Sequence, residues 1–184
     1  NGLLRSNNGT LAVEGLKPPI TDLIGEILIT RDAIVADSLG GRFLGEDIDL
    51  VVGAGDDPRF FAVATATGST TATAIIEEFG VPLEGLLNGA TDYTAQLLFP
   101  RGGQETPQPL TVRIESDLVG IAVDLPDPVQ KPAADALLLR GDIRFMPGGE
   151  AIESAGLVGD DIAWQLGFNA MEDGWDLDRG VVML

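Results

Sequence analysis

Carboxylates are almost the whole of the titratable chemistry this chain carries. Of its 184 residues, 29 are Asp or Glu and 11 are Lys or Arg, with no His and no Cys. Two carboxylates suffice for glycoside hydrolysis when burial keeps one protonated and the other stays ionised. The adjacent pairs Glu77-Glu78, Asp56-Asp57 and Asp160-Asp161 fail that requirement in a strand, where neighbours point to opposite faces. Hard-oxygen ligands are densest in Glu172-Asp173-Gly174-Trp175-Asp176-Leu177-Asp178. Asp173, Asp176 and Asp178 are therefore the candidate ligands of a structural calcium ion, with Asp47-Ile48-Asp49 a lesser cluster. The order departs from that of the EF-hand loop, and the competing reading is a solvated acidic hairpin tip. No other cofactor is expected.

Nucleophilic catalysis has little to work with. Ser6, Ser38, Ser69, Ser116 and Ser154 have no His to activate them, and the only lysines, Lys17 and Lys131, sit beside prolines. Without His or Cys there is no zinc finger, haem or iron–sulfur ligation, disulfide or Cys–His dyad. Gly53-Ala54-Gly55 runs into Asp56-Asp57-Pro58, and Gly148-Gly149 into Glu150, so neither suits a phosphate. A formal charge of −18 repels nucleic acid and anionic membrane alike. The composition thus predicts a protein that is not an enzyme. Arg140-Gly141-Asp142 and the sequon Asn8-Gly9-Thr10 are short matches that arise by chance. Trp164 alternates with Ile162 and Leu166 as on a core face, whereas Trp175, between Gly174 and Asp176, is the aromatic side chain best placed for contact with a sugar or a subunit.

The elements that must position these residues read as strands. Hydrophobic residues make up 45% of the chain, enough for a buried core, and no apolar run approaches the ~20 residues of a membrane helix. The 24 glycines and 11 prolines fall between short apolar runs, as in β-rich domains. Ile48, Leu50 and Val52 alternate with polar neighbours, and residues 59–67 alternate likewise. Tyr93, Ala95, Leu97 and Phe99 share a face, and after a Gly/Pro loop at 100–107 Leu110, Val112 and Ile114 form the return strand of a hairpin. Residues 21–38 read as helix or as two strands ended by Gly40-Gly41. Residues 69–79 read as a strand, with a short helix capped by Ser69 as the alternative. The predicted fold is all-β, an antiparallel sandwich of the jelly-roll kind with about eight to ten strands. Its domains are an extended arm at 1–20, a sandwich at 21–124, a Pro-rich connector at 125–133 and C-terminal strands at 134–184. Those last strands pack on the same domain or on a neighbouring subunit.

Arg42-Phe43-Leu44-Gly45-Glu46-Asp47-Ile48-Asp49-Leu50 resembles the opening strand of small β-sandwich domains in bacteriophage tail and baseplate proteins. Residues 91–99 with 110–114 resemble their later hairpin, so the likeness covers about half the chain. The resemblance implies a non-enzymatic structural subunit of a virion, as a capsid, decoration or tail component. It would assemble with its own copies or with other virion proteins, and not with nucleic acid or membrane. The contacts would come from the apolar residues of the two ends, Leu11, Val13, Val181, Val182 and Leu184. The alternatives are an extracellular or cell-surface filament subunit joined by donor-strand exchange, with a leader upstream of Asn1, and a carbohydrate-binding or glycosidase domain.

Overall fold

The computed structural model describes residues 2–13, 16–31, 33–79, 84–102, 107–126, 130–171 and 174–183. They form a single antiparallel sheet of twelve strands and one short helix. The strands are β1 (Gly2–Val13), β2 (Leu16–Ile29), β3 (Ile34–Phe43), β4 (Glu46–Gly53), β5 (Phe60–Thr71), β6 (Leu87–Pro100), β7 (Leu110–Ser116), β8 (Ile121–Val123), β9 (Leu139–Phe145), β10 (Ala151–Val158), β11 (Ile162–Met171) and β12 (Gly174–Met183), with helix α1 (Ala72–Phe79) after β5. They pair in chain order from β1 to β12 as a meander, except that β8 leaves the path to pair with the start of β6 and β7 pairs directly with β9.

Period-two alternation explains most of these strands. Ile48, Leu50 and Val52 of β4 face Gly68, Ala66 and Ala64 of β5, which in turn face Tyr93, Ala95 and Leu97 of β6. The row continues through Ile114 and Val112 of β7 to Gly141 and Ile143 of β9. One face of the sheet is therefore apolar from β4 to β9, and we call it the inner face. Ile48, Leu50, Ala64, Ala66 and Leu97 are all at most 4% exposed on it. The outer face carries Asp47, Asp49, Gln96, Arg113, Asp142 and Arg144. Arg113 donates to Asp142 at 3.0 Å and Arg179 to Glu153 at 2.9 Å, forming cross-strand ion pairs on solvated strands.

The sheet folds over its own inner face, which gives it the two-layered character expected of a sandwich. Leu11 of β1 packs against the cluster of Ile20, Leu23, Leu39, Ile48 and Leu50, and Val13 against the cluster of Ala64, Leu97, Val112 and Phe145. In a flat sheet β1 and β5 would lie about 19 Å apart, at ~4.8 Å per strand. The arm expected at 1–20 is extended, and it is paired: Gly2 lies opposite Ile29 and Val13 opposite Leu16.

Local reading and structure differ in three places. Gly40 and Gly41, expected to end a segment, lie inside β3. A Cβ on Gly41 would come within 3.1–3.2 Å of Ile20 and Leu23, so the glycine leaves room for those two side chains. At 69–79 the strand stops at Thr71 and a helix follows. Its cap is Thr71, whose Oγ1 accepts from the Ala74 amide at 3.1 Å, and Ala72 and Ile76, four residues apart, are buried. Two-residue hairpin turns favour positive φ at both positions, and Leu44 (φ 53°) with Gly45 (φ 81°) supplies it between β3 and β4.

Beyond the Pro-rich segment the chain rejoins the same sheet. Lys131, 5% exposed, bridges to Val123 and its ammonium donates to the carbonyls of Ile121 (2.7 Å), Leu118 (2.8 Å) and Pro132 (3.2 Å). That buried cation pins the excursion between β7 and β9. Gly89 (φ 106°) and Gly120 (φ 96°) let the β6 and β8 backbones meet, since a Cβ on either would overlap the carbonyl of Gly120 or Ala90 respectively.

Candidate functional site

Burial on the inner face falls away toward the last strands. At the centre Leu50, Leu97 and Val112 are 2–5% exposed. On β9 and β10, Ile143 and Ile152 pack against Phe145 at the rim of the central cluster. Opposite Ile152 lies Phe168 of β11, and opposite Phe168 lies Leu177 of β12. Trp164 lies opposite Val182, and Ala170 opposite Trp175. Trp175, Leu177 and Val182 are 42–60% exposed. The result is an open apolar shelf that continues the filled core without a step.

Trp164 is the best-positioned side chain of this shelf. Its inner-face neighbours on β10 and β9 are Gly156 and Gly141, which pair with each other. A Cβ on Gly141 would stand 3.2 Å from the indole, and one on Gly156 would overlap it. The ring therefore lies across two bare backbones, and its Nε1 donates to Ser154 Oγ at 3.0 Å, so the polar atom is satisfied while the ring remains apolar surface.

Parity changes once in β12. A register shift between Gly167 and Phe168 places Asp178 in a bulge, which brings both Leu177 and Gly180 to the inner face and Arg179 to the outer one. The guanidinium of Arg179 crosses Gly167 to reach Glu153. A shallow outer depression of about 230 Å³ between Arg144, Glu153, Gln165 and Arg179 lies behind the shelf.

The structure describes only part of the acidic cluster at 172–178. Asp173 lies outside the described residues. Asp176 lies opposite Asn169 on the outer face, and Asp178 is bonded to Arg179 at 3.3 Å. Among the described residues no three acids gather as a metal cluster. Asp47 and Asp49 share the outer face of β4, where Asp47 pairs with Arg42 at 3.4 Å. Asp57 is held by Arg59 at 2.6–3.1 Å, and this bonding lowers the Asp57 pKa and raises that of Arg59. Burial raises the pKa of the Tyr93 phenol. Arg140 and Asp142 pair with Glu115 and Arg113 in mid-sheet, so the integrin-type tripeptide is extended and engaged.

The residues expected to make subunit contacts divide. Leu11 and Val13 are half-buried against the protein's own two core clusters. Val181 and Val182 are 56% and 60% exposed on opposite faces of the edge strand β12. Leu184 lies outside the described residues. Phe168 follows the usual core alternation and Leu177 sits inside an acidic run, so the sequence marks neither as a site residue. The signal that finds Leu177 is its distance from Val182, five residues, which lands on one face only if a bulge intervenes.

No curated protein and no solved structure matches the chain. The family model of the YhdP protein matches residues 1–184. That match overturns the resemblance to phage tail and baseplate proteins and, with it, the expected place in a virion, for the family is a bacterial one. The quoted phage-like stretches are ordinary alternating strands, a pattern that any half-buried antiparallel sheet repeats. With the model spanning it from end to end, the chain belongs to the YhdP protein family.

Proposed function

We propose that this chain is a non-enzymatic binding module whose inner face receives the acyl chains of lipids. The observation that carries this reading is the continuity of the apolar inner face from the filled core at β4–β7 onto the open shelf of Trp164, Phe168, Leu177 and Val182. A flexible hydrocarbon suits such a surface, because the shelf offers width and apolar area without a closed cavity or a converging set of polar groups. Each methylene removed from water contributes about 0.8 kcal/mol, so a segment of five or six methylenes on the shelf gives about 4–5 kcal/mol before entropic costs. The charged outer face supports the same division, keeping the reverse side of the sheet solvated.

Titration with a fluorescent polyene fatty acid tests it. The chain should bind the probe and lose it to oleate, and Leu177→Asp with Val182→Asp should weaken binding at least tenfold while far-UV circular dichroism is unchanged. Equal binding by the charged variant would contradict the shelf as the site.

A second reading rests on β12 as an unpaired edge among the described residues, with Val181, Val182 and Met183 56–60% exposed. Such an edge can accept another strand, from a second copy or from a neighbour. Light scattering over a concentration series separates the readings. A concentration-dependent dimer that Val181→Lys abolishes supports assembly through this edge, and a monomer at all concentrations removes it.

A further inference from the structure

The distal part of the β1–β2 hairpin is built differently from the rest of the sheet. Below Ser6 the two strands pair in simple register, Gly2 with Ile29 through Ser6 with Gly25. Above that level the ladder is interrupted three times, between Ser6 and Gly9, Gly9 and Leu11, and Leu11 and Val13. The β2–β3 ladder breaks at the same height, between Thr21 and Ile24, and once more below it, between Gly25 and Leu28. Asp22 (φ 53°) and Gly25 (φ 145°) lie in the left-handed half of backbone space at this bend. Gly9 leaves room at the same bend: a Cβ on it would stand 2.5 Å from Ser6 Oγ, while that hydroxyl donates to the Leu23 carbonyl at 2.7 Å. Pro18 and Pro19 contribute no amide donors to a ladder.

Beyond this bend the hairpin lies on the inner face instead of extending it. Ile20 and Leu23 rest over Gly41 and join Leu39, Ile48 and Leu50 in one cluster, against which Leu11 packs, and Val13 reaches the cluster of Ala64, Leu97, Val112 and Phe145. The attachment is thus mainly apolar contact, with Thr21 opposite Arg42 the one β2–β3 register pair beyond the bend among the described residues, and it hinges where both ladders break.

We infer that residues 9–13 and 16–23 form a lid over the centre of the inner face, and that an acyl chain advancing from the shelf displaces it. This rests on the reading of the inner face as an acyl-chain surface and adds a regulation to it. With the lid seated, the hydrocarbon surface available is the β10–β12 shelf. With the lid lifted, Ala64, Leu97 and Val112 join it, and Val13 is exchanged for the ligand's methylenes at little net cost. The lid thereby limits how far a chain slides in before the protein yields.

The test uses the absence of native cysteine, which makes any introduced thiol unique. Val13→Cys places a thiol on the half-buried inward side of the lid and Ala12→Cys one on its exposed side; Leu11→Cys is a second inward reporter in case the first variant fails to fold. In the ligand-free protein the inward thiols should react with a maleimide several-fold more slowly than Cys at position 12. Saturation with oleate bearing bromine on its tail should quench Trp164 and Trp175, and should bring the inward thiols up to the rate of the exposed one without changing the latter. Quenching without acceleration overturns the lid and leaves the shelf intact. Absence of both overturns the acyl-chain reading and the lid with it. Inward thiols that already react as fast as the exposed one overturn the lid outright.

Discussion

The two ends of the inner face follow one pairing pattern but reach opposite results. Around β4–β7 the apolar row is covered: Leu50, Leu97 and Val112 lose almost all contact with water, and β1 contributes Leu11 and Val13 from across the fold. Around β11 and β12 the same row is bare, and Trp175, Leu177 and Val182 stay 42–60% exposed. Composition does not cause the difference, since both stretches alternate apolar and polar residues. What differs is whether another part of the chain folds back over the row. A sheet that folds back over only part of its own inner face buries the apolar row there and leaves the rest of it as surface. The covered stretch gives stability and the bare stretch gives a place to bind.

The sharpest way to break this comparison is to cut matched side chains from the two stretches. Leu50→Ala should cost about 2–5 kcal/mol in urea unfolding, as for other fully buried leucines. Leu177→Ala should change stability by less than about 0.5 kcal/mol and reduce acyl-chain affinity instead. Comparable losses at both positions would mean that the shelf is part of the core. Next in size is the pinned excursion. Lys131→Met removes the donor to three carbonyls and should cost about 2 kcal/mol, read as a lower urea midpoint at unchanged slope.

Gly156→Ala sharpens the comparison within the shelf itself. The added methyl would overlap the Trp164 ring and the Arg140 carbonyl, so the indole must leave its place. We expect about 1–3 kcal/mol of destabilisation and a red-shifted tryptophan emission, with acyl-chain binding weakened alongside. The pH dependence of the covered stretch should be milder. Burial raises the Tyr93 pKa above its value in the unfolded chain, so its contribution is complete below about pH 10 and is lost as pH rises through the folded value. Melting temperature should therefore fall more steeply above pH 10 in the native chain than in Tyr93→Phe, and absorbance at 295 nm reports the single tyrosine directly. The smallest effect belongs to the outer face, where Arg179→Gln, which breaks the exposed pair with Glu153, should shift stability by no more than about 1 kcal/mol.

Much of this fold was legible in the residues. The all-β antiparallel class, the hairpin of β6 and β7 and the alternation of β4 each follow from period two and turn-forming loops, because a half-buried strand has to alternate. The helix after Thr71 was harder, since threonine both favours strands and caps helices, and only the burial of Ala72 and Ile76 decides between them. Which part of the chain supplies the second layer was not legible. Whether an apolar face is covered depends on where Leu11 and Val13 travel, a long-range outcome of the bends at Gly9, Asp22 and Gly25 that no local pattern records. The shelf was legible in part: Trp164 and Val182 were singled out separately, but the bulge at Asp178 that brings Leu177 and Val182 to one face was hidden in an acidic run that invites a calcium reading.

Fluorescence quenching by brominated acyl chains tests the central claim most directly, because the only two tryptophans, Trp164 and Trp175, both stand on the shelf. Vesicle-derived phospholipid brominated at the chain terminus should quench the two indoles to a saturable extent, and lipid brominated only at the headgroup should not. Emission unchanged by chain-brominated lipid at saturating concentration, in a protein shown to be folded, would contradict the account.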